Sequence, residues 1–299
     1  MALDVRPIIP SRFFGHKTRG AAPSSRIGAY IALMKLRVVE LLLVTTIPTM
    51  VLAEGGWPSI QLMAVTLIGG TLAAGGANAI NMYIDRDIDK LMVRTQNRPL
   101  VTGALTPRAA MIFAIALEFV AFLVLWAGAN LLAAVLAVSA TLFYVFVYSL
   151  WLKRTSKQNI VIGGAAGAMP VLVGWAAVTN SLGWAPVVLF VVIFLWTPPH
   201  FWALAIRHAD DYKAAGVPMM PVVVSLERTV RSMTTYAVLL TLSTLVLVPV
   251  AELGWIYGIT ALVFGVAFVI GSVRLGSDPS PKRSMRLFTF SITYVTAVF

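Results

Sequence analysis

Acidic and amide side chains are concentrated in one short stretch of this sequence. Asn81, Asp85 and Asp89 are spaced four residues apart, and Asn78 precedes Asn81 by three. On a continuing helix this spacing places all four side chains on one face. Carboxylates this close repel each other unless a cation neutralises them. Magnesium prefers such oxygen ligands and shares them with substrate phosphates, so a magnesium site is one interpretation.

A solvated helix end is the other interpretation, with the aspartates paired to Arg86 and Lys90. The spacing alone leaves both open. Arg86 and Asp87 point away from the stacked face, so we expect these two residues to pair with each other.

Two arginines beyond the aspartates favour the magnesium site. Guanidinium groups bind phosphate oxygens in a bidentate way, and Arg94 and Arg98 follow the aspartates closely. An arginine in a cytoplasmic loop commonly reflects membrane topology alone, so the inference depends on the proximity of these two arginines to the aspartates. Together the two groups predict a magnesium–diphosphate site.

Further candidates occur at other places on the chain. Lys35 is a possible cationic contact, and Tyr148, Lys153 and Arg154 form a cluster that could bind a diphosphate. For the cluster, an interfacial tyrosine with topology-setting charges is the stronger reading of the residues alone. Tandem prolines before His200 predict an interrupted helix, which makes His200 an ionisable group inside the membrane and a functional candidate. A satisfied packing histidine is the alternative.

These residues must be positioned by helices that cross a membrane. Hydrophobic residues make up 59% of the 299 residues, charged residues 12%, and cysteine is absent. That composition excludes soluble, disordered and fibrous proteins, as well as disulfide scaffolds and thiolate metal sites.

A helix that crosses the membrane needs roughly 20 mostly apolar residues. Eight segments meet this length: 27–53, 62–85, 109–127, 131–152, 159–178, 185–206, 229–251 and 255–273. A ninth apolar run, 287–299, is short or truncated. We predict an all-α polytopic membrane helical bundle.

The basic residues predict how the bundle is oriented. All 23 Lys and Arg residues lie in the N-terminal tail, at the start of the first span, or in the connections after even-numbered spans. By the positive-inside rule that side is cytoplasmic. We expect a disordered basic tail over 1–26 and a single transmembrane domain over 27–299. A bacterial plasma membrane is favoured over the mitochondrial inner membrane, and nucleic acid is not an expected partner.

Several motifs together resemble the UbiA-type intramembrane prenyltransferases. The resemblance runs from about Lys35 to the C-terminus. Its motifs are Asn81-x-x-x-Asp85-x-x-x-Asp89, Arg94-Thr-x-x-Arg98-Pro-Leu, Lys153-Arg154-Thr155 with Asn159-Ile-Val-Ile-Gly163-Gly164, Pro199-His200-Phe201-Trp202, and Asp211-Tyr212. Within the family, the branch that uses haem fits these motifs.

The resemblance implies transfer of a farnesyl group from farnesyl diphosphate to a vinyl group of haem b, with Mg²⁺ as cofactor and haem as substrate. It also implies membrane lipid as a partner and a downstream haem-modifying enzyme or terminal oxidase assembly. The implied catalytic residues are Asn81, Asp85, Asp89, Arg94, Arg98 and His200. The implied substrate-binding residues are Asn78, Lys35, Tyr148, Lys153, Arg154, Asp210 and Asp211. The implied metal ligands are Asn81, Asp85, Asp89 and Asp211.

The sequence departs from the family pattern at the second acidic segment. The family usually has spaced aspartates there, whereas this chain has adjacent Asp210 and Asp211, with His200 or Phe201 near the position of an earlier aspartate. Whether one or two magnesium ions bind is therefore open.

The alternative functions are a prenyltransferase acting on an aromatic quinone precursor and a secondary transporter. Transport is disfavoured because the charged residues gather at one membrane face rather than at the midplane.

Overall fold

The computed structural model describes residues 25–278 and 280–299, apart from the side chains of residues 37, 38 and 40–43. The predicted basic tail, 1–26, lies almost entirely outside the described residues. The described chain contains helices and no strand, so the all-α prediction is confirmed. Two 3-10 turns cover Ile88–Lys90 and Val93–Thr95, and a π-helical segment covers Phe143–Leu152. The α-helices are α1 Arg26–Met34, α2 Leu36–Glu54, α3 Ile60–Ile84, α4 Pro99–Thr102, α5 Pro107–Gly128, α6 Leu131–Leu142, α7 Lys153–Thr155, α8 Asn159–Thr179, α9 Trp184–Arg207, α10 Ala209–Ala214, α11 Met220–Val223, α12 Leu226–Val250, α13 Trp255–Ser277 and α14 Pro281–Val298.

Seven helical stretches of the described chain are long and apolar enough to cross a membrane. They are Ile60–Ile84, Pro107–Gly128, Leu131–Thr155, Asn159–Thr179, Trp184–Arg207, Leu226–Val250 and Trp255–Ser277. These match the second to eighth predicted spans, so the chain is an integral membrane protein. The exact count of eight full spans and a short ninth stays a prediction.

The first predicted span, 27–53, is divided into two helices. Lys35 has a left-handed backbone with φ of 52°, which ends α1 and begins α2. The Ser25 side chain caps α1 by accepting a hydrogen bond from the Gly28 N–H at 3.0 Å. The break directs the Lys35 side chain to α3, where its Nζ donates to Asn81 Oδ1 at 2.9 Å.

The predicted interruption at the tandem prolines is wrong, because α9 continues through Pro198 and Pro199. Each proline lacks an N–H and leaves one carbonyl of the preceding turn without its helical partner. Membrane helices tolerate this where neighbouring helices and side chains satisfy the backbone. Helices α8, α12 and α14 pack around α9.

Small residues allow α3 and α5 to pack closely. A Cβ atom at Gly69 would lie 2.6 Å from Leu125 Cγ, and one at Gly76 would lie 2.6 Å from Glu118 Oε1. Neither position has room for a side chain, so both glycines are explained by helix contact. The pair forms one wall of the bundle and holds the end of α3 beside the other helices.

The last helix, α14, begins six residues before the predicted ninth apolar run, 287–299. Pro281 occupies its first turn, and the Ser280 side chain caps it by accepting from the Arg283 N–H at 3.3 Å. Its buried face packs against α9 and α13. The Tyr294 hydroxyl also hydrogen-bonds to Thr244 Oγ1 of α12 at 2.6 Å. This helix therefore closes the bundle on the side of α9.

Candidate active site

A cavity of about 430 Å³ leads from the charged end of the bundle into its interior. At the charged end it is lined by four basic side chains: Lys35, Lys153, and Arg94 and Arg98 of the loop after α3. Farther inside, its walls are mostly alanine, glycine and apolar residues of α3, α6, α8 and α9. The cavity can therefore hold a molecule with an anionic head and an apolar tail.

Asp85 lies at the end of α3 and is completely buried. Its backbone N–H donates to Asn81 O at 2.9 Å, which completes the last turn of the helix. Its Oδ2 forms an ion pair with Lys153 Nζ. Its Oδ1 is also buried and has no hydrogen-bond partner among the described residues. One oxygen of this carboxylate is thus paired and the other is free.

Asp89 repeats this arrangement in the next turn. It is completely buried, and its Oδ2 accepts a hydrogen bond from Arg98 Nη1 at 2.6 Å. Its Oδ1 is buried and, within the described part of the chain, unpaired. The expectation of one continuing helix is wrong, because α3 ends at Ile84 and Asp89 belongs to a 3-10 turn. A hydrogen bond of 2.9 Å from the Asp89 N–H to Asp85 O still keeps the two residues one turn apart.

The two free carboxylate oxygens fit a divalent cation. A buried oxygen without a partner is costly, and magnesium takes such ligands together with phosphate oxygens and water. Nowhere in 25–278 or 280–299 do three acidic or histidine side chains come together to hold a metal ion by themselves. Asp85 and Asp89 offer such oxygens to a magnesium ion that shares its coordination with a substrate, although neither residue is among those that line the cavity.

The two asparagines of α3 organise the charged end of the cavity. Asn78 Nδ2 donates to Met34 O at 3.0 Å, which holds the end of α1. Asn81 Oδ1 accepts from Lys35 Nζ, and its Nδ2 donates to Ser149 Oγ at 2.9 Å. Both asparagines line the cavity, although the amide of Asn81, a predicted metal ligand, is engaged at both ends.

The π-helical segment turns two tyrosines and a lysine toward the cavity. In an α-helix of 3.6 residues per turn, Tyr144 and Lys153 would lie on opposite faces. The i→i+5 bonds of a π-helix widen each turn, so that Tyr144, Tyr148 and Lys153 share one face. All three line the cavity, and the two tyrosine rings stack with centroids 5.3 Å apart. Tyr148 and Lys153 were predicted candidates, whereas Tyr144 was missed because helical spacing separates it from Lys153.

The second acidic segment contacts the loop that carries the arginines. Asp211 Oδ1 accepts a hydrogen bond from the Val93 N–H at 3.2 Å, and its Oδ2 lies 4.0 Å from His208 Nδ1. Arg94 Nη2 donates to the Tyr212 hydroxyl at 3.3 Å. Burial lowers the pKa of His208 below its ordinary value, so this ring is mostly neutral at pH 7. Asp210, in contrast, is exposed.

The structure places Arg154 outside the residues that line the cavity. Both of its terminal nitrogens donate to the Asp87 carboxylate at 2.7 Å. This bidentate bond lowers the pKa of Asp87 from 3.8 to about 2. The predicted pair of Arg86 with Asp87 is therefore wrong. Arg86 instead donates to Tyr83 O at 2.7 Å and lies over the Tyr83 ring.

His200 lies next to the cavity wall but is not among the residues that line it. Its ring stacks between Trp196, at 4.1 Å, and Phe288 of α14, at 4.4 Å. Its Nδ1 hydrogen-bonds to Ser291 Oγ at 2.6 Å. The neighbouring Trp196 and Phe201 do line the cavity. A catalytic role for His200 stays a prediction, since the ring lies between α9 and α14.

Three further residues contribute to the site or its walls and were not predicted. Ser149 holds Asn81, Tyr212 holds Arg94, and Glu118 accepts hydrogen bonds from the cavity-lining Thr141 hydroxyl at 3.1 and 3.2 Å. Tyr212 stands in a motif of the family resemblance. Glu118 is an acidic residue within an apolar span, which is a signal in itself. Nothing in the local sequence identifies Ser149, because its contact joins two separate helical segments.

Sequence comparison relates the chain to known prenyltransferases. A profile of the UbiA prenyltransferase family matches residues 42–294. The chain is 54% identical to the protoheme IX farnesyltransferase of Frankia casuarinae over 282 residues, which cover 92% of this chain and 96% of the relative. It is 51% identical to the enzyme of the same name from Clavibacter sepedonicus, over 95% of this chain and 93% of the relative.

Solved structures share the fold at low sequence identity. A digeranylgeranylglyceryl phosphate synthase superposes with a TM-score of 0.75 at 18% identity, covering 91% of this chain and 95% of that one. A UbiA homologue from Archaeoglobus fulgidus bound to GPP and Mg²⁺ gives a TM-score of 0.68 at 20% identity, covering 91% and 98%. The family profile, the relatives and the shared fold lead to one conclusion: the chain is an enzyme of the UbiA prenyltransferase family.

Proposed function

We propose that the enzyme transfers the farnesyl group of farnesyl diphosphate to a vinyl group of haem b, forming haem O. The relatives that share about half of their residues with this chain are named protoheme IX farnesyltransferase, which supports this substrate pair. The observation that carries the proposal is the apolar cavity whose charged end is lined by four basic side chains, two of which pair with the buried Asp89 and Asp85. Such an end suits a diphosphate, and the apolar interior suits an isoprenoid chain.

In this proposal the basic residues bind the diphosphate and stabilise its charge. Negative charge grows on the diphosphate as the C1–O bond of farnesyl diphosphate breaks. The charged end that would hold it is lined by Arg94, Arg98, Lys35 and Lys153. The departing diphosphate keeps the electron pair of that bond. Arg98 and Lys153 have a second task, because they also hold the Asp89 and Asp85 side chains.

Magnesium is the cofactor of this proposal, held by the free oxygens of Asp85 and Asp89. When bound, it supplies positive charge that stabilises the diphosphate leaving group. The UbiA homologue bound to GPP and Mg²⁺ supports this assignment. Asn81 would orient Lys35 toward the same end, and Asp211 would secure the arginine-bearing loop through its bond to the Val93 N–H.

The apolar walls would protect the allylic cation from water until the haem vinyl group reacts. The vinyl carbon forms a bond to farnesyl C1, and the resulting cation on the haem side chain is captured by water, which then loses a proton. The product carries a hydroxyethylfarnesyl group. The charged end of the cavity would face the cytoplasm of a bacterial cell, and the product would pass to a haem-modifying enzyme or a terminal oxidase.

A direct assay tests the proposal. Purified protein is incubated with haem b, farnesyl diphosphate and MgCl₂, and the haem is analysed by mass spectrometry. We expect a farnesylated, hydrated haem that disappears when EDTA replaces magnesium. A parallel reaction offers 4-hydroxybenzoate as an aromatic acceptor. Prenylation of that acceptor without any farnesylated haem would assign the chain to a quinone branch and overturn the proposal.

A further inference from the structure

Three glycines of α8 line the cavity, but close packing requires only two of them. A Cβ atom at Gly163 would lie 2.3 Å from Tyr148 Cδ2, and one at Gly164 would lie 2.9 Å from Thr197 Cγ2. At Gly167 the same atom would meet nothing within 4 Å. Helix contact therefore explains Gly163 and Gly164. At Gly167 the absence of a side chain leaves open space inside the cavity.

The depth of this open space follows from helix geometry. Ile160 is the first residue of α8 that lines the cavity, and Gly167 lies seven positions farther along. At 1.5 Å per residue, Gly167 lies about 10 Å farther along α8 than Ile160. On α3, Ala74 lies the same number of positions from Asn81, so small residues stand at this level on two walls.

Bulkier residues line the cavity beyond this level. Met169, Pro170 and Val173 continue the same wall on α8. The cavity thus extends past Gly167 and does not end there. An apolar chain anchored at the charged end has to pass Gly167 to reach the deeper part.

We infer that Gly167 determines the length of isoprenoid chain that the cavity accepts. The inference depends on the proposed function, because the depth is counted from a diphosphate bound at the charged end. About 10 Å accommodates roughly two extended isoprene units beyond the head group. The third unit of a farnesyl chain passes Gly167, whereas a geranyl chain ends near it. A side chain at this position would occupy the space of the third unit.

The test compares Gly167→Leu with Gly183→Leu. Gly183 is an exposed residue at the start of α9, where a Cβ atom would also meet nothing within 4 Å, but it does not line the cavity. For Gly167→Leu we expect kcat/KM with farnesyl diphosphate to fall about 100-fold and that with geranyl diphosphate to change less than about threefold. Gly183→Leu should leave both values unchanged. The milder Gly167→Ala, which adds one methyl group, should give a smaller shift in the same direction.

Equal losses with both donors, or no change with either, would overturn the inference. Binding of the two diphosphates, measured by calorimetry with magnesium present and haem absent, separates this question from the acceptor. A geranyl-over-farnesyl preference in binding by Gly167→Leu supports the role of Gly167 even if haem is not the acceptor. Farnesylated haem made by Gly167→Leu at the wild-type rate supports the proposed function and refutes the role of Gly167.

Discussion

The acidic segments after α3 and after α9 contain similar residues in different surroundings. Asp85 and Asp89 are completely buried, each with one oxygen held by a cation and the other free. Asp210 is exposed, and Asp211 uses its carboxylate to accept a backbone hydrogen bond from Val93. The first segment therefore contains two buried carboxylate oxygens without a partner among the described residues, whereas the second uses its acid to hold the first segment's loop.

This contrast shows that two acidic clusters at the same end of a helical bundle need not be equivalent. A carboxylate remains free for a metal or substrate only where cations neutralise it without covering both oxygens. Lys153 and Arg98 do this for Asp85 and Asp89. No carboxylate oxygen described after α9 is both buried and unpaired.

The largest expected effect comes from the first segment. Asp85→Asn and Asp89→Asn should each reduce transfer at least about 100-fold, because the oxygens that suit magnesium lose their charge. The readout is the rate of farnesylated haem formation, with membrane insertion checked by recovery of the folded protein in detergent. Retained activity in either variant would contradict the assignment.

A paired variant separates activity from stability in that experiment. Asp85→Asn leaves Lys153 buried without its partner, which costs roughly 3–5 kcal/mol. The double variant Asp85→Asn with Lys153→Met removes this unpaired charge. Its thermal stability should recover while transfer stays absent. Recovery of transfer together with stability would show that neither Asp85 nor Lys153 takes part in transfer and that the two side chains only balance each other.

The second segment should respond differently to two substitutions of one residue. Asp211→Ala loses the bond to the Val93 N–H and should lower transfer about 10-fold by loosening the arginine loop. Asp211→Asn keeps an oxygen that can accept this bond, so its activity should stay within about twofold of wild type. Steady-state kinetics of the two variants decide the point. If Asp211→Asn lowers transfer as much as Asp211→Ala does, the negative charge of Asp211 is itself needed. The second segment would then resemble the first in its dependence on charge.

A smaller effect is expected at Asp87, whose carboxylate pairs with Arg154 away from the cavity. The pair is partly exposed, so Asp87→Asn should lower the free energy of unfolding by at most about 1 kcal/mol. The hydrogen bonds from Arg154 lower the pKa of Asp87 from 3.8 to about 2. The stabilisation by this pair is therefore present above pH 3.8 and is lost as pH falls through about 2. Thermal unfolding should therefore show the same difference from wild type at pH 5 and pH 8. A difference that changes between these two values would contradict the pairing.

The smallest effect is expected at Asp210. Its side chain is exposed, so Asp210→Asn should behave as an ordinary surface substitution. We expect the free energy of unfolding to change by no more than about 0.5 kcal/mol and the rate of transfer by no more than about twofold. This variant is the matched control for Asp211→Asn, since it removes the same charge one residue earlier. A large loss of transfer at Asp210 would place a substrate contact in the second segment.

Local features of the chain allowed much of this site to be predicted. Apolar length identified seven helices that the structure contains, and the four-residue spacing identified Asp85 and Asp89 as neighbours. The same local reasoning was wrong for Arg86 and Asp87. Adjacent residues compete with distant ones, and Arg154 of α7 offers Asp87 a better bidentate geometry.

The amino-acid sequence by itself determined the membrane bundle and the charged residues that we propose bind a diphosphate, because hydrophobic length, charge and spacing act along the chain. Only the tertiary structure decided which cation neutralises which acid, that Tyr144 shares a face with Lys153, and that the space at Gly167 is open. Each of these depends on side chains from separate helices or on a departure from α-helical geometry. Such contacts arise when the helices pack, and no local pattern specifies them.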